Sequence, residues 1–145
     1  MAWTIQQLHS EWQRQGFFAA HNISVQLPAS DINPSLILTF HEYGDLPVVL
    51  GVGEQQILVE VALVERSEFA NPSEIDYRLL TTHKYLPLST VAIECIKGQD
   101  WYVLFGALSI HSKLDVVAEE LQELVSNTFS VIDALEPLYK FNRQS

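Results

Sequence analysis

Residues that could do chemistry are few in this chain, and they are spread along it. The sequence has five histidines and a single cysteine. No HExxH, CxxC, GxSxG or Walker-type sequence is present, so the spacings that bring catalytic or ligating groups together are missing. We therefore predict no catalytic, cofactor-binding or metal-binding residue. The histidines are His9, His21, His41, His83 and His111.

The densest group of such residues is His41-Glu42 together with Asp45. Imidazole and carboxylate groups at the tip of a hairpin are suitable ligands for a metal ion. A turn between two strands also carries polar residues because water solvates it. We favour the solvated turn over the metal site.

Cys95 offers a different chemistry, as a nucleophile with His83 as its base. It stands between Ile93 and Ile96 in a strand-like run, and cysteine is among the residue types most often buried. We therefore predict a buried core thiol.

One cysteine cannot form an intrachain disulfide, and no stretch is typical of a signal peptide or a membrane span. These features predict a soluble cytoplasmic protein.

The charge of the chain argues against nucleic-acid partners. Eight Lys and Arg against 18 Asp and Glu give a formal charge of −10, which repels phosphates and anionic membranes. Three of the acids, Glu119, Glu120 and Glu123, lie close together in the last predicted helix. They resemble a carboxylate site only loosely, and we interpret them as a solvated helix face.

Capping signals predict the first two helices. A capping box at Thr4 and a glycine after the last apolar residue indicate a helix over residues 4–15. A second helix begins at Asn71, where an N-cap residue is followed by proline. It should end by about Tyr85, because Pro87 disfavours the helical conformation of the residue before it.

The last helix has the clearest pattern in the sequence. Ser112 caps it, and an apolar stripe continues over residues 113 to about 140. The stripe is about 100° wide, which suits packing on a sheet better than a two-stranded coiled coil. Val116 and Phe129 fall outside the stripe, so we expect them to be available for contact with another molecule.

Period-two apolar runs predict a sheet between the helices. The turns at 44–45 and 53–54 favour type II′ hairpins, and the run 56–64 is apolar enough for a central strand. The element order α-β-β-β-α-β-β-α, with an early extra strand, predicts an α+β fold in one domain, residues 1–145. Its antiparallel sheet has about five to six strands with helices packed on it. The runs are 23–27, 36–43, 46–52, 56–64, 91–96 and 101–108.

Three segments carry a resemblance to a known family. They are Tyr-Gly-Asp-Leu-Pro at 43–47, Thr-His-Lys-Tyr-Leu-Pro-Leu-Ser at 82–89, and Tyr-Val-Leu-Phe-Gly-Ala-Leu-Ser at 102–109. The chain resembles the YjfI-like family of uncharacterised bacterial proteins over nearly its whole length. That family has no assigned activity.

The element order is also similar to the type III secretion chaperone-like fold, although the early strand at 23–27 departs from it. Small acidic bacterial proteins with that fold act by binding other proteins, often as homodimers. Members of the YjfI-like family are typically encoded near relatives of phage shock protein A. The resemblance therefore implies a coiled-coil membrane-stress protein as a partner.

Two functional hypotheses follow. In the favoured one, the protein is a non-enzymatic binding module, a homodimer or adaptor whose exposed apolar surface includes Val116 and Phe129. His83, Lys84 and Tyr85 would then form the polar and aromatic rim of a partner groove. In the alternative, the protein is a small-molecule binder or enzyme, and the same three residues stand at the mouth of a pocket between sheet and helices.

Overall fold

The computed structural model of the protein describes residues 2–27 and 35–139. The elements follow the predicted order, with one additional short helix near the start of the chain. The helices are α1 (Ile5–Gln15), α2 (Phe17–Ala20), α3 (Pro72–Thr82) and α4 (Leu114–Leu135). The strands are β1 (Ile23–Gln26), β2 (Ser35–Phe40), β3 (Leu46–Val52), β4 (Gln56–Glu65), β5 (Thr90–Ile96) and β6 (Gln99–Ser109).

The six strands form one sheet in the order β1-β2-β3-β4-β6-β5. The pairs β1–β2, β2–β3, β3–β4 and β5–β6 are antiparallel. The α+β class, the number of strands and the inner position of β4 are therefore confirmed. The two edges of the sheet are β1 and β5.

The chain forms two compact units. Unit 1 comprises Met1–Glu60 and Ala107–Leu121, and unit 2 comprises Val61–Gly106 and Gln122–Ser145. In the described part of the chain, no helix has the length and hydropathy of a membrane span.

The helix ends in unit 1 agree with the sequence. The Thr4 hydroxyl accepts a hydrogen bond from the Gln7 amide, and the Gln7 side chain accepts one from the Thr4 amide, both at 3.1 Å. Gly16 ends α1 in the left-handed conformation, with φ 73°. Phe17 then stacks on Trp12, with ring centroids 5.0 Å apart. The capping box and the C-terminal turn are both confirmed.

The turns of the β2–β3–β4 meander differ from the predicted type II′ geometry. Strand β2 ends at Phe40, and the next three residues form a 3₁₀ turn, His41–Tyr43. Gly44 and Asp45 both have left-handed backbones, with φ 69° and 57°. Gly53 does not have the positive φ that a type II′ turn requires, and its amide bonds to the Gln56 carbonyl at 2.8 Å. Longer connections thus replace the two-residue turns, and the predicted strand 36–43 was too long.

Helix α3 of unit 2 begins at Pro72, and its inward residues Ile75 and Leu79 are buried. Asn71 occupies the N-cap position without a capping hydrogen bond from its side chain. The helix ends at Thr82, and a 3₁₀ turn, His83–Tyr85, follows it. The predicted end by about residue 85 is therefore confirmed.

Helix α4 starts at Leu114 and ends at Leu135. A 3₁₀ turn containing Pro137 follows, as expected for a residue that cannot continue an α-helix. The predicted extent to about residue 140, which itself lies outside the described residues, was therefore too long. The apolar stripe is buried as predicted, at Val117, Leu121, Leu124, Val125, Val131 and Leu135.

The acidic face of α4 is not uniformly solvated. Glu119 is exposed and Glu123 is half-buried, but Glu120 is only 6% exposed. Glu120 is three positions after the buried Val117, so the two residues are neighbours on one helix face. The prediction of a solvated face was therefore wrong at Glu120.

Candidate functional site

Exposed apolar side chains are concentrated in a short part of unit 2. Ten large apolar side chains are exposed among the described residues, and five of them fall between positions 77 and 93. We call these five the α3–β5 surface: Tyr77, Leu80, Tyr85, Leu88 and Ile93, with exposed fractions of 71%, 65%, 76%, 54% and 48%. Of these five, Leu80 and Ile93 line one crevice. An exposed apolar patch on a protein marks a site of contact with another molecule.

Helical geometry explains why α3 contributes to this surface. Ile75 and Leu79 are one turn apart and face the core. Tyr77 lies half a turn from Ile75, so it points away from the core. Leu80 follows at the border of the same outward face. Two of the largest apolar side chains of α3 thus face solvent.

Leu80 and Ile93 line a crevice of about 140 Å³ between α3 and β5. Tyr102 and Asp76 also line it, and the Tyr102 hydroxyl donates to the Asp76 carboxylate at 2.5 Å. Arg66 holds the same carboxylate through Nε and Nη2, at 3.1 and 2.6 Å. Hydrogen bonds between α3, β6 and the segment after β4 therefore fix the lining of the crevice.

This cluster shifts two pKa values. The hydrogen bond from the Arg66 guanidinium lowers the pKa of the Asp76 carboxyl, although burial acts in the opposite direction. Burial, together with the bond to Asp76, raises the pKa of the Tyr102 hydroxyl. At neutral pH, Asp76 is therefore ionised and Tyr102 is protonated, which is the combination that their hydrogen bond needs.

Leu88 is held in an unusual conformation. Its φ is 65°, in the left-handed region where a bulky side chain is a genuine outlier. Asn127, only 5% exposed, donates from Nδ2 to the Pro87 carbonyl at 2.7 Å and to the Ser89 hydroxyl at 2.9 Å. A buried amide thus fixes the residues on both sides of Leu88 while Leu88 itself is exposed. Strain of this kind persists where the surroundings over-determine it, and it clusters at functional sites.

Strand β5 forms one edge of the sheet, and its hairpin shows which backbone groups face outward. Lys97 and Gly98 make a two-residue turn with φ of 51° and 80°, which joins Ile96 to Gln99. In such a hairpin the residues flanking the turn are a hydrogen-bonded pair, and the pattern then alternates along the strand. The amides of Val91, Ile93 and Cys95 therefore point away from β6.

The observed hydrogen bonds agree with this assignment at Val91. Its amide donates to Nδ1 of His83 at 3.1 Å, instead of to β6. His83 thus covers the outward amide at the start of the edge. The outward amides of Ile93 and Cys95 follow along β5, which contains no proline and a single charged residue, Glu94.

Cys95 is exposed, so the prediction of a buried core thiol was wrong. Burial falls along β5, from Val91 at 6% exposure to Ile93 at 48%. An edge strand has a neighbour on one side only, and its apolar residues are not all covered. The strand-like run around Cys95 was identified correctly, but its place in the sheet was not visible in the pattern.

A cavity of about 320 Å³ lies between α3, the 83–85 turn, β5 and the end of α4, all in unit 2. We call it the α3–α4 cavity. Its lining is mostly apolar, with a few polar side chains. The lining residues are Arg78, Leu79, Thr82, His83, Leu86, Val91, Ser130, Val131, Ala134, Leu135 and Leu138.

The structure separates the three residues predicted to stand together at a groove or pocket. His83 lines the α3–α4 cavity, but Lys84 and Tyr85 do not. Both are exposed, and the Lys84 ammonium lies 5.2 Å from the centroid of the Tyr85 ring. His83 thus belongs to the cavity, and Tyr85 belongs to the α3–β5 surface with Lys84 beside it.

Val116 and Phe129 are exposed, at 41% and 37%, as expected for residues outside the stripe. Thirteen positions separate them on α4, which places them roughly 140° apart around the helix axis. They do not share a helix face. The two residues therefore do not make one contact patch along α4.

The group around His41 is a hydrogen-bonded turn. Nδ1 of His41 lies 2.7 Å from Asp45 Oδ1, and Nε2 lies 2.5 Å from Ser24 Oγ. Both ring nitrogens are thus engaged, and the described residues contain no cluster of three or more His, Cys, Asp or Glu that could hold a metal. The serine–histidine–aspartate order is that of hydrolase triads, but all three side chains are exposed to water on a turn.

Residues 2–139 match the family described as uncharacterized proteins conserved in bacteria, DUF2170. The chain belongs to this family. Two relatives, each named uncharacterized protein YjfI, come from Escherichia coli strains K12 and O157:H7. Each is 32% identical over 102 residues, which is 70% of this chain and 77% of the relative.

The resemblance to the YjfI-like family is therefore confirmed. The type III secretion chaperone-like fold rests on the element order and stays a prediction. Both the DUF2170 family and the YjfI relatives are described as uncharacterized.

The sequence interpretation missed most of the α3–β5 surface. Tyr77 could have been found, because it lies opposite the inward pair Ile75 and Leu79 at helical spacing. Ile93 could not, because strand alternation places it on the face of the buried Val91. Leu88 could not either, since its exposure depends on a backbone conformation fixed by Asn127, which is distant in the sequence.

Proposed function

We propose that this DUF2170 protein is a non-enzymatic protein-binding module that binds its partner through the α3–β5 surface. The observation that supports the proposal is the coincidence of exposed apolar side chains with an outward-facing strand edge. Tyr77, Leu80 and Ile93 supply apolar area, and β5 supplies backbone hydrogen-bonding groups. Partner strands are commonly recognised by this combination of main-chain bonds and side-chain pockets.

The proposed mode of binding is addition of a partner strand to β5. The partner backbone would pair with the outward groups of Ile93 and Cys95, since the Val91 amide is already bonded to His83. An apolar side chain of the partner would enter the crevice between Leu80 and Ile93. Tyr77 and Tyr85, which are large and partly polar, suit the border of such an interface.

The strained segment favours the same surface. Asn127 fixes Leu88 in an exposed position before any partner is present. A contact residue held in place does not lose conformational freedom on binding, so its apolar area contributes more fully to affinity. Positioning for binding is thus a physical reason for a protein to keep a leucine in the left-handed backbone conformation.

The partner itself is proposed from the family resemblance. We propose a protein of the phage shock protein A type, met in the cytoplasm, as the ligand of the α3–β5 surface. A second copy of the chain is the other occupant to test, because two β5 edges can pair with each other. The charge of −10 favours a partner whose binding segment is flanked by basic residues.

A matched set of variants tests the surface. Leu80→Asp and Ile93→Asp place a charge in the crevice, whereas Val49→Asp places one on a strand of unit 1 where the side chain is also exposed, at 42%. All three positions are exposed, so we expect the variants to fold. Partner recovered by quantitative pull-down from the native cell should fall at least roughly tenfold for the first two.

Two results would count against the proposal. Equal recovery by wild type, Leu80→Asp and Ile93→Asp would remove the α3–β5 surface from consideration. Loss of the partner with Val49→Asp alone would move the interface to unit 1. Native mass measured by light scattering distinguishes a second copy from another protein as the occupant.

A second candidate function is small-molecule binding in the α3–α4 cavity. Its volume of about 320 Å³, mostly apolar lining and few polar groups are typical of ligand sites. A ligand that binds the folded protein alone raises the melting temperature. In a screen of metals and metabolites, we expect a shift of several degrees that His83→Ala abolishes; no shift with any compound would exclude this function.

A further inference from the structure

We propose that the α3–α4 cavity binds an amphipathic monocarboxylate, an aliphatic chain ending in a carboxylate. The inference rests on the second candidate function, and it is independent of protein binding through the α3–β5 surface. It follows from the shape, the charge and the hydrogen-bonding groups of the cavity lining.

The apolar part of the lining suits an aliphatic chain. The cavity volume of about 320 Å³ lies near the lower end of the range for ligand pockets. Among the described residues, the lining contains no Phe, Tyr or Trp ring that would favour a flat ligand by stacking. Its apolar residues are Leu79, Leu86, Val91, Val131, Ala134, Leu135 and Leu138.

The charge of the lining is opposite to that of the chain. The whole sequence carries 18 acidic against eight basic residues. The described residues that line the cavity carry one formal positive charge, on Arg78, and no carboxylate. A cavity with this composition favours an anionic group over a cation.

Arg78 can accept the head group of the ligand. Its Nη2 lies 3.2 Å from Glu74 Oε1, one helical turn earlier on α3, and the side chain is 55% exposed. This bond engages one N–H of a guanidinium that carries five. The remaining N–H groups have the planar arrangement that matches a carboxylate.

His83 supplies a further donor. Because its Nδ1 accepts the Val91 amide at 3.1 Å, the proton of the neutral ring is on Nε2. The hydroxyl of Thr82 donates to the Arg78 carbonyl at 2.6 Å, so its proton is already used. The donors that remain are the Arg78 guanidinium and the Nε2–H group of His83. They favour a head group that only accepts hydrogen bonds, as an ionised carboxylate does.

The direct test compares ligands that share one chain. Decanoate, decanol and decylamine are titrated into the full-length protein by calorimetry, below the concentration at which they form micelles. We expect decanoate to bind at least roughly tenfold more tightly than decanol or decylamine, because only the carboxylate forms a charge-assisted hydrogen-bonded pair with the Arg78 guanidinium. Across hexanoate, octanoate and decanoate, affinity should rise roughly fourfold for each CH₂ that enters the cavity.

Two variants place the binding in this cavity. Arg78→Gln should weaken decanoate binding roughly tenfold and leave decanol unchanged. Ala134→Trp, at an exposed position that lines the cavity, should fill it and abolish binding of every ligand in the series. Arg14→Gln is the matched control, because Arg14 also pairs with a glutamate on its own helix, at 2.8 Å, but belongs to unit 1.

Each outcome decides a different point. Decanoate binding that is lost in Ala134→Trp and weakened in Arg78→Gln, but kept in Arg14→Gln, supports the inference. Equal binding of decanoate, decanol and decylamine overturns the carboxylate specificity and leaves small-molecule binding in place. If none of them binds, the inference is overturned, and the metal and metabolite screen then decides whether the second candidate function fails with it.

Discussion

Strands β1 and β5 occupy the two edges of the same sheet, but their exposed residues differ. β1 has four residues, and its exposed positions are the polar Ser24 and Gln26. β5 has seven residues, and its exposed positions include Ile93 and Cys95. Proteins protect sheet edges with short strands and polar side chains. β1 has both forms of protection, whereas β5 combines a longer edge with exposed apolar groups.

The neighbouring turns extend this contrast. Beside β1, His41 bonds to Ser24 and to Asp45, so the polar groups of that edge are engaged with each other. Beside β5, Asn127 holds a segment that exposes Leu88. Exposed polar groups thus bond to each other beside β1, whereas beside β5 the buried Asn127 fixes a backbone segment that keeps Leu88 in solvent. The position of a strand in the sheet does not define an interface; the surrounding side chains do.

The largest effect on stability is expected when a buried aromatic residue of unit 1 is replaced, in comparison with an exposed aromatic residue of unit 2. Trp12 is 1% exposed in unit 1, and Tyr85 is 76% exposed in unit 2. Trp12→Ala should lower the free energy of unfolding by about 3–5 kcal/mol, because it empties a packed site. Tyr85→Ala should change it by less than about 0.5 kcal/mol. Urea denaturation measures both, and a comparable loss in Tyr85→Ala would show that the α3–β5 surface is part of the core.

The next largest effect on stability is expected from replacing Asn127. Asn127→Ala removes the donors to Pro87 and Ser89 and leaves space in a buried site. We expect the free energy of unfolding to fall by about 1–3 kcal/mol. Ser126→Ala, at an exposed position on the same helix, should be neutral within about 0.5 kcal/mol. Equal stability of the two variants in urea would mean that Asn127 does not hold the Leu88 segment.

Proline scanning of β5 tests which amides face outward. Glu94→Pro removes an amide that points toward β6, so it should cost roughly 1–3 kcal/mol of stability. Cys95→Pro removes an outward amide and should cost clearly less, since edge positions tolerate proline. Circular dichroism melts in parallel give the comparison. If Cys95→Pro were less stable than Glu94→Pro, the Cys95 amide would face β6, and the assignment of the outward amides would be wrong.

The smallest effect concerns pH. The pKa of Asp76 is lowered in the folded protein, so its contribution to stability is present above the unfolded pKa of roughly 3.9 and is lost as pH falls through the folded value. The pKa of Tyr102 is raised, so its contribution is present below roughly pH 10 and is lost as pH rises further. Asp76→Asn should flatten the acid side of the stability profile and Tyr102→Phe the alkaline side. Unchanged profiles would contradict the hydrogen bond between them.

Local signals in the sequence predicted much of the fold. The Thr4 capping box, the glycine after α1 and the apolar stripe of α4 each depend on residues within a turn or two, so the pattern contains the full information. Turn geometry was predicted less well, because His41 in the 41–45 connection bonds to Ser24, which is distant in the sequence.

Most of the candidate functional site could not be predicted from such local signals. His83 was identified as a candidate, but its role depends on its bond to the Val91 amide. The exposure of Cys95 depends on β5 lying at an edge, which only the strand order reveals. Residues whose surroundings come from distant segments cannot be assigned from spacing alone.

Hydrogen exchange at the β5 amides tests the central claim most directly. It is measured for the purified protein and for the complex captured from the native cell, with the β1 amides as the internal reference. We expect the Ile93 and Cys95 amides to exchange rapidly in the free protein and at least roughly tenfold more slowly in the complex, with β1 unchanged. Identical exchange of the β5 amides in both samples would contradict partner binding at this edge.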